Sequence, residues 1–248
     1  MANSSSIEWT ESTWNPVVGC TVISPGCTNC YAMRLARRLE AMGQPKYAGT
    51  TRMSGGRPKW NGVVRTDQAS VNLPVNWKAG RMIFVNSMSD LFHEAVPLAF
   101  IRQVFATMKK TPQHTYQILT KRSARLEELS GALEWPRNVW MGVSVENTDY
   151  QFRIDHLRRT GAAIKFLSLE PLLGPLNDLD LERIEWVIAG GESGPGARPI
   201  NPDWVRTIRD QCDNAGIAFH FKQWGGPSKK KTGRTLDGRT WDEFPISH

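Results

Sequence analysis

Thr115–Leu133 reads TYQILTKRSARLEELSGAL. Its first six residues, Thr115–Thr120, form an apolar run of the kind a buried strand requires. A helical pattern follows over Ala124–Leu133, and Ser123 sits where a helix N-cap belongs. Between the two lie Thr120, Lys121 and Arg122, polar residues at the end of a strand. The same unit recurs along the chain. Strands are expected at Arg81–Ser87, Val139–Val145, Ala163–Leu169, Trp186–Ala189 and Ile217–Lys222, with an earlier one near Thr13–Val18. Helices are expected at Ala32–Met42, Leu98–Lys109, Asp149–Thr160 and Pro202–Ala215, with Asp149 as a further N-cap and Gly216 as a stop signal. The strand runs are apolar on both faces, as in a parallel sheet covered on both sides. Repeated β-then-α units predict an α/β fold: a single, partial (β/α) barrel of six or seven parallel strands over residues 1–248, with an open doubly wound sheet as the other arrangement of such units.

The chain has 248 residues, 40% hydrophobic and 22% charged, which suits a globular protein with a real core. No apolar run reaches the roughly 18 residues of a membrane span, and the N-terminal MANSSSIEWTES lacks the apolar core of a signal peptide. A cytoplasmic protein, monomer or small oligomer, with no membrane partner is expected. There are 31 basic and 24 acidic side chains, and 15 of the basic but only 6 of the acidic ones lie in residues 1–124. Concentrated positive charge suits a polyanion, DNA or RNA first, although a solubility bias accounts for it equally. Residues 43–80 are too long for a simple connection. They hold Lys46, Arg52, Arg57, Lys59, Arg65 and Lys78 against one acid, Asp67, with Tyr47, Trp60 and Trp77 interleaved. This basic insertion, which follows the helix after the cysteine loop, reads as a nucleic-acid contact, with Trp60 a stacking residue, or as a lid. Residues 227–248 form a C-terminal extension with Lys229, Lys230 and Lys231.

Three of four cysteines crowd into Cys20-Thr-Val-Ile-Ser-Pro-Gly-Cys27-Thr-Asn-Cys30. Soft thiolates select zinc, copper(I) or an iron–sulfur cluster. A structural zinc site wants four ligands; the fourth cysteine, Cys212, lies in a helical pattern and reads as a small buried hydrophobe. None of the histidines (93, 114, 156, 220, 248) is spaced as a partner to the loop, and His220 reads as a core or barrel-wall residue. Three ligands leave one iron of a cubane cluster open. Polar residues also cluster at the strand ends, where parallel barrels place their active sites: Ser87, Ser89 and Asp90; Lys121; Ser144, Glu146 and Asn147; Ser168 and Glu170; Gly190, Gly191 and Glu192, with Arg198 beside them; Lys222 and Gln223.

A strand leading into a three-cysteine loop on a barrel resembles the radical S-adenosylmethionine (SAM) superfamily, with a longer first gap, Cys-x6-Cys-x2-Cys. The segments TWNPVVGC, SPGCTNCYA, NSMSDLFH, ILTKR, GVSVEN, SLEPLLG, WVIAGGESGPGARP, KQWGG and LDGRTWDEFP resemble, over nearly the whole chain, a phage-associated three-cysteine family of unknown function that is radical SAM-like. The resemblance implies that Cys20, Cys27 and Cys30 hold a 4Fe-4S cluster and that Tyr31 shields it or contacts adenine. It implies an external electron donor. The superfamily's Gly-Gly-Glu lies at its second strand, whereas Gly190-Gly191-Glu192 comes about 160 residues after the cysteines. Asp90 is the position-matched acid for the SAM amino group. Lys121 would anchor the SAM carboxylate or a substrate phosphate, Ser144, Glu146 and Asn147 would meet ribose hydroxyls, and Glu170 would stand next around the mouth. Gly190–Gly196 would bring backbone amides to a carboxylate, ribose or phosphate, although a tight turn explains those glycines as well. Arg198, Lys222 and Gln223, with Trp60, are substrate candidates. The implied activity is radical modification or repair of a nucleic acid or nucleotide. A zinc-containing nucleic-acid-binding protein without catalysis, completed by Cys212 or a histidine, and a non-radical SAM-dependent transferase are the other readings.

Overall fold

The computed structural model describes residue 5 and residues 7–245. Residues 1–4, 6 and 246–248, which include the ends of the expected 1–248 domain, the last residues of the 227–248 extension and His248, lie outside the described residues. Seven strands form the main sheet: β1 Ser12–Trp14, β2 Met82–Val85, β3 Thr115–Thr120, β4 Val139–Ser144, β5 Ile164–Leu169, β6 Trp186–Gly190 and β7 Ala218–Gln223. Their spatial order is their chain order, β1 through β7. A doubly wound sheet reverses direction at a switch point, and a (β/α) barrel does not. The neighbours β1–β2, β2–β3, β5–β6 and β6–β7 pair in parallel. The protein is therefore α/β, with the parallel seven-strand sheet of a partial (β/α) barrel.

Helices α1 Tyr31–Ala41, α2 Leu98–Lys110, α3 Ser123–Ser130, α4 Phe152–Arg158 and α5 Pro202–Ala215 fill five of the six crossovers. The β5–β6 crossover is irregular. The reason the strands were readable is burial on both faces: all six residues of β4 and all five of β6 are buried. Both expected caps are corrected. Ser123 is the first residue of α3, with Arg122 at the cap position; the Thr120 hydroxyl accepts the Arg122 amide instead, at 2.9 Å. Asp149 lies inside a 3-10 turn, Thr148–Tyr150, that precedes α4. The expected early strand is divided at Pro16, which has no amide to donate to a ladder. Ser12–Trp14 joins the main sheet, and Val17–Val18 pairs antiparallel with Arg65–Thr66.

The chain forms two compact units. The first takes residues up to 23, 30–140 and 160–163, and the second takes 24–29, 141–159 and 164 onward. The first is centred on Ile83, Val85, Ile101, Val104, Met108, Tyr116 and Ile118, and the second on Val143, Phe166, Leu167, Trp186, Ile188, Ile208 and Phe221, all with at most a trace of exposure. Residues 43–80 belong to the first unit. They form a hairpin, Thr51–Ser54 with Arg57–Trp60, and several 3-10 turns. Tyr47 and Trp60 are buried with Ala32, Met33 and Ala36 of α1, Val18 and Met88. Trp60 is thus corrected from a stacking surface to a core residue: at 8% exposure its ring has no face to offer a base. In the second unit the C-terminal segment straps β7, with the Phe221 amide donating to the Trp241 carbonyl and Trp186 Nε1 donating to the Glu243 carbonyl, at 2.9 and 2.8 Å. His220, 1% exposed, is a core residue. No helix among the described residues is long and apolar enough to cross a membrane.

Candidate functional site: a buttressed three-cysteine loop

In the first unit, the chain leaves β1 and Val17–Val18 for Cys20, and α1 starts directly after Cys30. Both cysteines are half-buried and pack on the apolar bed of Val18, Ala32, Met33, Ala36, Tyr47, Trp60 and Met88. The insertion thus floors two cysteines with its aromatic rings. Tyr31, the first residue of α1, donates from its hydroxyl to the Ser87 carbonyl at 2.6 Å. The Ser87 hydroxyl donates to Asn15 Oδ1 at 3.2 Å and that of Ser89 to the Val17 carbonyl at 2.7 Å. These serines fix the β2 end to the strand that precedes Cys20. Asp90 is buried and fully engaged: it accepts from Thr120 Oγ1 at 2.7 and 2.9 Å, the Lys121 amide at 3.1 Å and the Phe92 amide at 2.9 Å. It ties the ends of β2 and β3 together, and Lys121 sits at that junction with its backbone held.

Beside Cys20 lies a polar cluster that the sequence did not announce. The Arg122 side chain is 3% exposed and pairs with Glu94 at 2.9 Å and Asp90 at 3.7 Å. It also donates to Thr21 Oγ1. His93 Nδ1 accepts from the Ala95 amide at 3.1 Å, which places the imidazole proton on Nε2, 3.0 Å from the same Thr21 hydroxyl. Burial, then the Arg122 charge, holds the His93 pKa below its ordinary value, so the ring is neutral at neutral pH. Burial works against the charge on Arg122, but Asp90, Cys20 and Glu94 outweigh it and hold the guanidinium charged. Cys20 therefore has a permanent buried cation nearby.

In the second unit, Cys27 ends a 3-10 turn, Pro25–Cys27. Ser24 Oγ donates to Glu146 Oε1 at 2.6 Å and lies 3.7 Å from Cys27 Sγ. Glu146 is fully buried and pairs with Arg153 at 2.9 Å, whose side chain is 3% exposed. Arg153 also donates to the Ser144 carbonyl at 2.7 Å and lies over the Tyr150 ring at 4.3 Å. Gly26 presses on this pair: a β-carbon there would stand 2.7 Å from Glu146 Cγ. Only glycine fits the turn that carries Cys27.

Glu192 braces the other side of the turn. It accepts from Asn29 Nδ2 at 2.9 Å and from the Arg198 amide, Nε and terminal nitrogen at 2.9, 3.0 and 2.5 Å. Arg198 also donates to the Pro25 carbonyl at 2.9 Å. Burial pushes the Glu192 carboxyl up, and the hydrogen bonds from Arg198 and Asn29 overcome this and hold it below its ordinary value. Gly191 lies against the Trp224 carbonyl, where a side chain has no room, and the Gly190 carbonyl accepts from the Leu172 amide at 3.0 Å. Lys222 reaches both Glu170 oxygens at 2.7 Å, and Gln223 donates to Ser193 Oγ at 2.5 Å. Asn147 leads into the 3-10 turn before α4, and Ser168 is buried in β5.

Three thiol side chains suit a soft metal or a cluster. Among the described residues no group of three or more His, Cys, Asp or Glu side chains is gathered to hold a metal ion. Cys212 lies fully buried in α5, with burial pushing its thiol up to about 12. A thiol held protonated in this way makes a poor ligand.

Fold and loop together define a partial (β/α)-barrel protein with a buttressed three-cysteine loop. Residues 4–245 match the model of a family described as a protein of unknown function, DUF5131, and the chain belongs to that family. A comparison with curated proteins finds no match.

Proposed function

We propose that the protein is an iron–sulfur enzyme of the radical SAM type, acting on a nucleic acid or nucleotide. The observation that carries the reading is the cysteine loop: three half-buried cysteines, directly after the first strand of a partial (β/α) barrel, with charged side chains spent on its support. A 4Fe-4S cluster bound by these thiols would supply the electron for reductive cleavage of SAM, with an external donor providing that electron. Cys20, Cys27 and Cys30 are the ligands in this reading. The Tyr47–Trp60 bed keeps water from one side of Cys20 and Cys30, and Arg122 offsets negative charge beside Cys20. Glu146–Arg153 and Glu192–Arg198 hold the Cys27 turn. Asp90, Glu146 and Glu192 thereby act on the loop rather than as contacts to SAM, while Tyr31 and Lys121 remain its candidate contacts. The excess of positive charge in residues 1–124 supports the substrate class.

Iron and sulfide analysis after anaerobic reconstitution tests the ligand set. Each of Cys20→Ala, Cys27→Ala and Cys30→Ala should lose nearly all iron and sulfide, and Cys212→Ala should keep the wild-type content. A wild-type protein that takes up one zinc, binds no sulfide and loses metal in Cys212→Ala would overturn the reading.

A further inference from the structure

We propose that the outer face of α1, with Val22 and Ile23 of the cysteine loop, is the docking surface for an acidic one-electron carrier protein; this rests on the iron–sulfur half of the proposed function and not on its substrate. Nine large apolar side chains are exposed among the described residues. Five of them, Val22, Ile23, Tyr31, Leu35 and Met42, fall between positions 22 and 42, and all five belong to the first unit. Their exposures run from 37% to 63%. Ala32, Met33 and Ala36, by contrast, are buried in the bed on which Cys20 and Cys30 pack. Tyr31, Leu35 and Met42 are spaced by four and then seven residues, so at about 3.6 residues per turn they line one stripe. Helix α1 is therefore apolar on two sides. One side is spent on the core, and the other is turned to solvent, where a covering partner would remove it from water.

Place and charge say what covers it. Cys30 immediately precedes Tyr31, and Val22 and Ile23 follow closely on Cys20. The bed that holds both cysteines lies on one side of α1 and the stripe on the other, about 10 Å apart, the width of a helix. A carrier seated on the stripe passes its electron across that width, and the proposed chemistry needs an electron from outside. One electron leaves the reduced carrier, which is oxidised, and enters the cluster, which is reduced. The first unit has 17 basic and 9 acidic side chains, a net of +8. Ion pairs inside the unit, such as Arg37 with Glu40 at 2.9 Å, redistribute this charge but leave its net unchanged. Helix α1 itself carries Arg34, Arg37 and Arg38 against one acid, Glu40. A positive surface selects a negative partner.

The side chains favour a protein over a nucleic acid as that partner. Nucleic-acid interfaces are polar and strongly basic. Here the exposed side chains are Val, Ile, Leu, Met and Tyr, with arginines on the same helix. Tyr, Met and Arg are enriched at the centres of protein interfaces. The small area fits as well, because redox encounters bury less than about 1,200 Å² in total. A carrier that delivers one electron at a time must also leave quickly, which a small contact permits. Charge then sets the rate of association, and the apolar stripe sets how long the partners stay together.

The test mixes the full chain, anaerobically reconstituted, with a photoreduced acidic [2Fe–2S] ferredoxin and follows oxidation of the ferredoxin by stopped-flow absorbance. The same preparations are reduced with dithionite, a small molecule that needs no docking surface. The variant L35E/M42E puts acids on the stripe, and L35Q/M42Q removes its apolar contact without adding charge. The control K109Q/K110Q makes the same change in net charge on α2. Oxidation of ferredoxin should slow roughly 10-fold or more with L35E/M42E and severalfold with L35Q/M42Q, while the control stays within about threefold of wild type. Raising salt from about 0.05 M to about 0.5 M should slow the wild type as well. Dithionite reduction, cluster content and melting temperature should stay near wild type in every variant. A cluster that ferredoxin reduces equally fast in wild type and L35E/M42E, or equal losses in L35E/M42E and the control, would overturn the docking surface and leave the iron–sulfur reading standing. Wild-type protein in which dithionite reduces no cluster would end that reading and this proposal with it. Two other occupants would overturn the proposal alone. A wild-type dimer that sediments as a monomer in L35E/M42E would give the stripe to a second copy of this chain. Loss of DNA or RNA binding in L35E/M42E with ferredoxin oxidation unchanged would give it to a nucleic acid.

Discussion

Glu192 shows how a single side chain changes meaning between sequence and structure. Its Gly-Gly-Glu setting resembles a cofactor-binding motif, yet in the fold its carboxylate accepts four hydrogen bonds, three of them from Arg198. Breaking a buried ion pair costs about 3–5 kcal/mol. Arg198 is one-third exposed, so solvent screening reduces this, and Arg198→Ala should cost about 1–3 kcal/mol at pH 7. The folded carboxyl lies below its ordinary value of 4.5. Its contribution is therefore complete above about pH 4.5 and fades as the pH falls through the lowered folded value. Urea unfolding at pH 7, 5 and 3.5 should show the wild-type advantage over Arg198→Ala shrinking toward acid. A constant difference across that range would separate Glu192 from the effect. The cysteines were legible at this scale because thiols crowded at short spacing point directly to metal or cluster chemistry. Their supports were not: Ser24 meets Glu146 across 122 positions, and Thr21 meets Arg122 across 101. Nothing in local spacing links such pairs.

Elements were legible where burial on both faces leaves an unbroken apolar run, as in β3, which matches its expected span end to end. Boundaries failed where side chains satisfied backbone groups in unexpected ways. Thr120 replaced Ser123 in serving the turn into α3, and Pro16 divided the first strand. Helix α5 is the case in which local chemistry agreed with the fold. Asn201 Oδ1 accepts the Asp203 amide at 2.9 Å, Pro202 opens the helix, and Gly216 closes it with φ 66°. Asn201→Ala should cost about 1 kcal/mol and lower the melting temperature by roughly 2–4 °C, while Asn201→Asp should stay near wild type. Equal melting of Asn201→Ala and wild type would mean that the cap contributes nothing to the cooperative unit. The insertion was legible as basic and aromatic but not as two-sided. Only strand pairing revealed that Trp60 faces inward and that Arg52, Arg57 and Lys59 share the other face of the hairpin.

For the whole molecule, the succession of β-then-α units pointed to a partial (β/α) barrel, and the strand order β1 through β7 agrees. A sequence does not state which strand ends contribute ligands to chemistry and which contribute struts. Here the structure assigns internal partners to Asp90, Glu146, Glu170 and Glu192, the four acids that looked most available. Glu146 and Glu192 reach Ser24 and Asn29 beside Cys27, and Asp90 pairs with the Arg122 that meets Thr21 beside Cys20, whereas Glu170 holds only Lys222. The most direct measurement is electron paramagnetic resonance of the anaerobically reconstituted, dithionite-reduced protein with and without SAM. The expected result is a reduced 4Fe-4S signal whose shape or position changes when SAM is added, because one iron lacks a protein ligand. A protein that forms no cluster, or a cluster signal indifferent to SAM, would refute the radical SAM reading.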